Sequence, residues 1–176
     1  MSRLLLAGFF AAILGACTFA SGKDPGHAVT TEAKCSSPRA NLRGVWKVTE
    51  FSSRKLGGEW KPFPINASLY IFTDRHYSYM IAPGSEPRRR YSGDPNKPSD
   101  AEKVAAYDSF VAASGTYELR GSELALTALL HKNPNEMLGE RLMYTIEISG
   151  NTLRMTIVDP PFSPGNERRT TLARVE

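Results

Sequence analysis

The chain has 176 residues, a formal net charge of +4 and 23% charged residues. That charge is mild and dispersed, which excludes a strongly basic nucleic-acid binder. Two cysteines and three histidines exclude a disulfide framework and the usual zinc-ligand spacing.

In chain order, the first element is a secretory signal: Arg3, an apolar run from Leu4 to Leu14, then Gly15 and Ala16. The run is far shorter than the roughly 20 residues of a membrane span, and no other stretch is long and apolar enough to be one. Leu14-Gly15-Ala16-Cys17 resembles a bacterial lipobox. The resemblance implies cleavage before Cys17, with lipid on its thiol and on its new amine, and two or more acyl chains anchor stably where one is marginal. Thr18-Phe19-Ala20 also offers small residues three and one before a cut, so cleavage after Ala20, giving a soluble secreted or periplasmic chain, stays open. The lipobox reading is favoured because it follows the apolar run without a gap. Residues 1–16 are then a lipoprotein signal peptide, 17–41 a flexible tether that is polar and small, and 42–176 one folded domain. The expected location is the bacterial cell envelope, lipid-anchored and facing the periplasm or exterior. With Cys17 acylated, Cys35 has no intramolecular partner.

From residue 42 the apolar residues mostly alternate, the mark of half-buried strands. "LRGVWKVTEF" sets Trp46 and Val48 against Lys47 and Thr49. "SLYIFTDRHYSYMIA" holds two strands around a turn at Asp74-Arg75. The Pro- and Gly-rich stretch with Arg88, Arg89 and Arg90 reads as a solvated loop, with contact to an anionic surface as the alternative. "PSDAEKVAAYDSFVAASG" reads as a helix. Ser99 and Glu102 have capping-box spacing, Val104, Tyr107, Phe110 and Val111 share a face, and Gly115 is a natural stop. "GTYELRG" and "ELALTALL" turn at Gly121-Ser122, "RLMYTIEI" and "TLRMTIV" turn at Gly150-Asn151, and "RRTTLARVE" closes the chain. The sum is about eight antiparallel strands with short turns, a sandwich or an up-and-down barrel, with one helix to cap it.

Gly44-Val45-Trp46 resembles the Gly-x-Trp that opens lipocalins, and Arg174 stands where that family's Arg packs over the Trp at the barrel base. With "IFTDRHYSYMI" and "AYDSFVAASGTYEL", the chain resembles bacterial lipocalin-like domain proteins over most of residues 42–158. The resemblance implies an all-β fold, an antiparallel lipocalin-like β-barrel with Gly44, Trp46 and Arg174 as its closing residues, and small-molecule binding without a settled ligand. The turn Asp74-Arg75-His76 departs from the family by lacking a glycine.

Catalytic motifs are missing: there is no Gly-x-Ser-x-Gly, P-loop, Cys-x-x-Cys or His-Glu-x-x-His. No cofactor and no metal are expected, and catalysis is not the favoured reading. His76 and His131 read as surface or rim residues, and His27 falls in the tether. Glu118 and Glu147 face water by alternation. Glu50 shares parity with Trp46 and Val48, so it points inward unless a bulge intervenes, and it is the one acid that a cyclase or isomerase could use. Tyr77, Tyr79 and Ile81 share one face, and Tyr144, Ile146 and Ile148 another. Both are expected to form cavity wall, with Tyr107 or Phe110 as lid. The expected partners are a small apolar ligand and, through the N-terminal lipid, the membrane; nucleic acid is not one. The alternative is a protein-interaction module, an envelope scaffold or inhibitor, using Arg88–Arg90 or the loop 159–167.

Overall fold

The alternating segments fold as strands, each paired antiparallel with the next. The structure, a computed structural model, describes residues 38–176 apart from 138 and 140. The signal segment, Cys17, His27 and Cys35 lie outside the described residues. In chain order the elements are α1 (Pro38–Leu42), β1 (Gly44–Lys55), the two-residue β2 (Lys61–Pro62), β3 (Ile65–Phe72) and β4 (His76–Pro83). They continue with α2 (Asp100–Asp108), β5 (Val111–Arg120), β6 (Glu123–His131), a 3-10 turn (Pro134–Met137), β7 (Arg141–Ser149), β8 (Thr152–Val158) and β9 (Asn166–Arg174). β9 returns to β1, from Trp46 opposite Arg174 to Lys55 opposite Asn166. The eight long strands therefore close into an antiparallel barrel. Closure removes the open edges on which a sheet of this size would aggregate.

One seam is short. β1 pairs with β3 only over Gly44–Trp46. Beyond it, the Val48 N–H donates to Ser68 Oγ at 2.9 Å, and β2 takes over opposite Ser52 and Ser53. The side-chain hydroxyl keeps a backbone donor satisfied where the strands splay.

One end of the barrel is filled by side chains. Trp46, Leu42, Leu124, Leu153 and Leu172 are fully buried there. Trp46 Nε1 donates to the Leu42 carbonyl at 2.9 Å. The Arg174 guanidinium lies 4.1 Å from the Trp46 ring centre and donates to the Arg43 and Asn41 carbonyls. Gly44 has φ +132°, and a side chain there would meet the Glu176 carbonyl and the Arg174 guanidinium. Only glycine fits on both counts. Tyr117 ties this end to the β3–β4 turn by donating to the Thr73 carbonyl at 2.6 Å. That turn closes on Thr73, whose N–H donates to the His76 carbonyl at 2.9 Å and whose Oγ1 accepts from the His76 N–H at 3.1 Å. Neither Asp74 nor Arg75 takes a positive φ, so the turn needs no glycine.

Three local expectations change. The last residues assigned to the tether, 38–41, belong to α1, because Leu42 must reach the core and the helix carries it there. α2 begins as expected, with the reciprocal Ser99–Glu102 capping box, but ends at Asp108. Phe110 and Val111 are not on it, and Gly115 lies within β5 rather than stopping a helix. Nor does α2 bury an apolar face: it has no buried residue, and Val104 is 60% exposed. Polar contacts dock it at the barrel rim. Tyr107 Oη donates to the Lys132 carbonyl at 3.1 Å, and Arg88 donates to Ser109 Oγ at 2.8 Å and to the Ala106 carbonyl at 3.3 Å.

The cap makes α2 acid-sensitive. Glu102 accepts from the Ser92 backbone N–H and hydroxyl at 2.8 and 2.9 Å, and from those of Ser99 at 2.9 and 2.8 Å. These bonds, the Ser92 N–H foremost, pull its pKa from 4.5 down to about 2. A depressed carboxylate stabilises the fold above its unfolded value, and that contribution fades as pH falls from 4.5 through about 2. The expected result is fraying of residues 100–108 across that window, read from 13Cα shifts, with the strands unaffected. In Glu102→Gln the fraying should already be present at neutral pH.

Candidate functional site

The other half of the barrel is not filled. Phe51 on β1, Ile65 and Tyr70 on β3, and Tyr79 and Ile81 on β4 face Tyr144 on β7, Met155 and Ile157 on β8, and Arg168 and Thr170 on β9. Between them is a cavity of about 510 Å³, within the usual size of a small-molecule site. A second compartment of about 310 Å³ adjoins it, with Tyr77, Leu126, His131 and Leu142 in its wall. Tyr79, Glu136 and Phe162 border both.

Register explains the wall. Arg168 is opposite Ile157 on β8 and Ser53 on β1, while Thr170 is opposite Met155 and Phe51. These rows face inward because alternation carries every second residue of each strand to the lumen. Tyr70 and Tyr79 stack with ring centres 5.0 Å apart, and Tyr77 and Tyr79 are 6.1 Å apart. Burial raises the phenol pKa of Tyr70, Tyr79 and Tyr144 well above the ordinary value and pushes Tyr77 up to about 12. All four therefore stay neutral hydroxyls at physiological pH, suited to donating a hydrogen bond in an otherwise apolar space.

Three charged or titratable groups lie at the open end. His131 is buried. Its Nε2 is 3.3 Å from Glu136 Oε2 and 3.5 Å from Tyr79 Oη. Asn133 Nδ2 donates to Glu136 Oε1 at 3.0 Å. Arg168 has its guanidinium 4.8 Å from the Phe162 ring centre. Its Nε is buried with no hydrogen-bond partner, and desolvation holds its pKa below the usual arginine value. The neighbouring Glu167 does not help. It faces the outside, where Arg54 holds it with Nη2–Oε2 at 2.6 Å.

Of the expected wall, Tyr77, Tyr79, Ile81 and Tyr144 border these compartments. Ile146 and Ile148 also point inward, but toward a separate depression beside Asn41, Gly121 and Ser122. They stand two and four residues along β7 from Tyr144, toward the filled end. Tyr107 and Phe110 border neither compartment. α2 lies against the rim, and Phe110 packs under Arg88 and Lys132, at 4.8 and 5.2 Å. The cover over the cavity comes instead from Phe162 in the β8–β9 loop and Glu136 in the 3-10 turn. Glu50 points outward because the β1–β9 register shifts between Val48 and Glu50, and the bulge reverses its parity. The sequence reading missed Arg168; the signal that could have found it is its shared parity with Thr170, Leu172 and Arg174. Phe162, Glu136 and His131 carried no periodic signal, because loops or a strand end place them.

The sequence pattern of the lipocalin-like domain family matches residues 43–175. A solved structure of a lipocalin-like protein from Bacteroides uniformis is similar, at 14% identity over 76% of this chain and 98% of that one, with TM-score 0.41. An uncharacterized protein from Bacteroides eggerthii is similar at 10% identity over 75% of this chain and 98% of that one, with TM-score 0.39. No curated protein matches the chain. The family is generally non-catalytic, and its fold suggests a role in binding a small hydrophobic or amphipathic ligand. The family match spans every strand of the closed meander, from the Gly44–Trp46 entry to the last β9 residue, and the chain belongs to the lipocalin-like domain family.

Proposed function

We propose that the chain is a cell-envelope lipoprotein, anchored through lipid on Cys17, whose barrel carries a small hydrophobic or amphipathic ligand on the periplasmic or outer side of a bacterial membrane. The observation that carries the ligand is the half-empty barrel, a cavity of about 510 Å³ walled by Tyr, Phe and Ile side chains. An apolar cavity of that size with a few directed polar groups stabilises a ligand by burying its apolar surface, at roughly 25 cal/mol per Å². The anchor rests on Leu14-Gly15-Ala16-Cys17 directly after the apolar run. The interaction-module reading draws less support, because Arg88 is engaged with Ser109 and Phe110 and Phe162 turns inward over the cavity.

Two measurements on protein from its natural host test this. Mass spectrometry of an organic extract of the purified protein is expected to recover one lipid-like compound in near-stoichiometric amount. The intact mass is expected to fit a mature chain starting at Cys17 with acyl groups attached. An extract with no bound compound, from a chain that also takes up no apolar probe, would end the carrier reading. A mature chain starting at Ser21 would end the anchor.

A further inference from the structure

We infer that the barrel's ligand is an amphiphile with a carboxylate head, held by Arg168, its apolar part lying deeper among Phe51, Tyr70 and Met155. This rests on the carrier reading above and adds the class of ligand.

Arg168 is half-buried at the open end of the barrel, with its Nε shut off from water. A buried guanidinium is retained where an anion or a full set of acceptors compensates it. Here the compensation is incomplete: Glu136 borders the same cavity and acts on Arg168 without pairing with it, and the Nε has no acceptor. Among the described residues no carboxylate lies within ion-pair distance of Arg168, and its buried Nε has no acceptor. The nearest acids are committed elsewhere: Glu167 to Arg54 outside the barrel, Glu136 to His131 and Asn133 at the rim. Phe162 covers the guanidinium, and Arg168 borders the cavity. A planar fork whose Nε is unpartnered matches a carboxylate, which a guanidinium can bind with two parallel hydrogen bonds.

The surroundings fix the rest of the ligand. Ile157 is opposite Arg168 on β8, and Tyr144 on β7 borders the same cavity, so the Tyr144 hydroxyl is placed to assist the head. One row deeper are Phe51, Thr170 and Met155, mostly apolar and suited to a hydrocarbon tail. Glu136 also borders the cavity, and it would favour a cationic head. Its engagement with His131 and Asn133 argues against that, and the test separates the two signs.

The experiment is equilibrium binding to the purified C17S chain, so that no acyl group of its own competes for the lumen. The probes are dodecanoate, methyl dodecanoate and dodecyltrimethylammonium, which share a tail and differ in head charge. Dodecanoate is expected to bind at least tenfold more tightly than the ester, and the cation more weakly than either. Arg168→Gln should erase the acid's advantage and leave the ester within twofold, while Arg168→Lys should recover part of it. Equal affinity for acid and ester in the C17S chain overturns this inference without touching the carrier reading, as does a preference for the cation. An acid preference that survives Arg168→Gln overturns the role of Arg168. If none of the probes binds, the carrier reading falls and this inference with it. The acid–ester comparison in the C17S chain stands even if the Arg168 variants fold poorly.

Discussion

Replacing Trp46 by alanine is expected to cost about 3–5 kcal/mol of folding stability, measured by urea denaturation. Trp46 is fully buried. It meets β3 through Tyr70 and β9 through Arg174 in register, so it sits where the two ends of the barrel wall join. Removing the indole opens a cavity at that join. It also removes the aromatic face under the Arg174 guanidinium and leaves the Leu42 carbonyl without its donor. Arg174→Lys should be destabilising in its turn. One ammonium cannot cover the ring and also reach the Arg43 and Asn41 carbonyls, as the planar fork does. In a double-mutant cycle the two changes are expected to be non-additive, since each disrupts the same contact. Simple additivity would mean that the base is not a unit.

Gly115→Val should be comparably severe, at least about 3 kcal/mol or a failure to fold. The reason is steric. Gly115 lies in β5 where the β5–β6 register shifts, between Ser114 and Gly115, and a side chain there would collide with the Thr127 carbonyl. Glycine within a strand marks this kind of close backbone approach. Gly93→Ala is the control. A side chain at Gly93 meets nothing within 4 Å, and its effect is expected within about 0.5 kcal/mol. Melting curves of the two variants should separate widely. If Gly115→Val melts with the parent chain, the bulge is not held by that carbonyl contact.

Strand positions were legible because a half-buried strand writes its environment into alternate residues. "TLRMTIV" shows it: Leu153, Met155 and Ile157 are buried, while Thr152, Arg154 and Val158 are exposed. α2's start was legible for a local reason, since Ser99 and Glu102 make their bonds within a single turn. Its end was not. "DSFVAASG" suits helix or strand by composition, and pairing decides between them. Val111 goes to Ile81 on β4 and Tyr117 to Leu126 on β6. Nothing local records those distant partners.

The sequence by itself determined where the eight long strands run, that they pair antiparallel through short turns, and the helix cap, because each is set by local chemistry or strict period two; the Gly44–Trp46 entry with Arg174 was legible only through its resemblance to lipocalins. Only the tertiary structure decided which inward residues plug the barrel and which leave it empty. Ile146 and Tyr144 have the same parity on β7, yet one is packed in the core and the other borders the cavity. The difference is depth along the barrel, fixed by the cross-strand register and by α1 carrying Leu42 into one end. The structure also decided that Glu50 faces out, through a bulge, and that Arg168 stands in the lumen with its Nε unpartnered. Both follow from how strands distant in sequence align, which no single segment encodes.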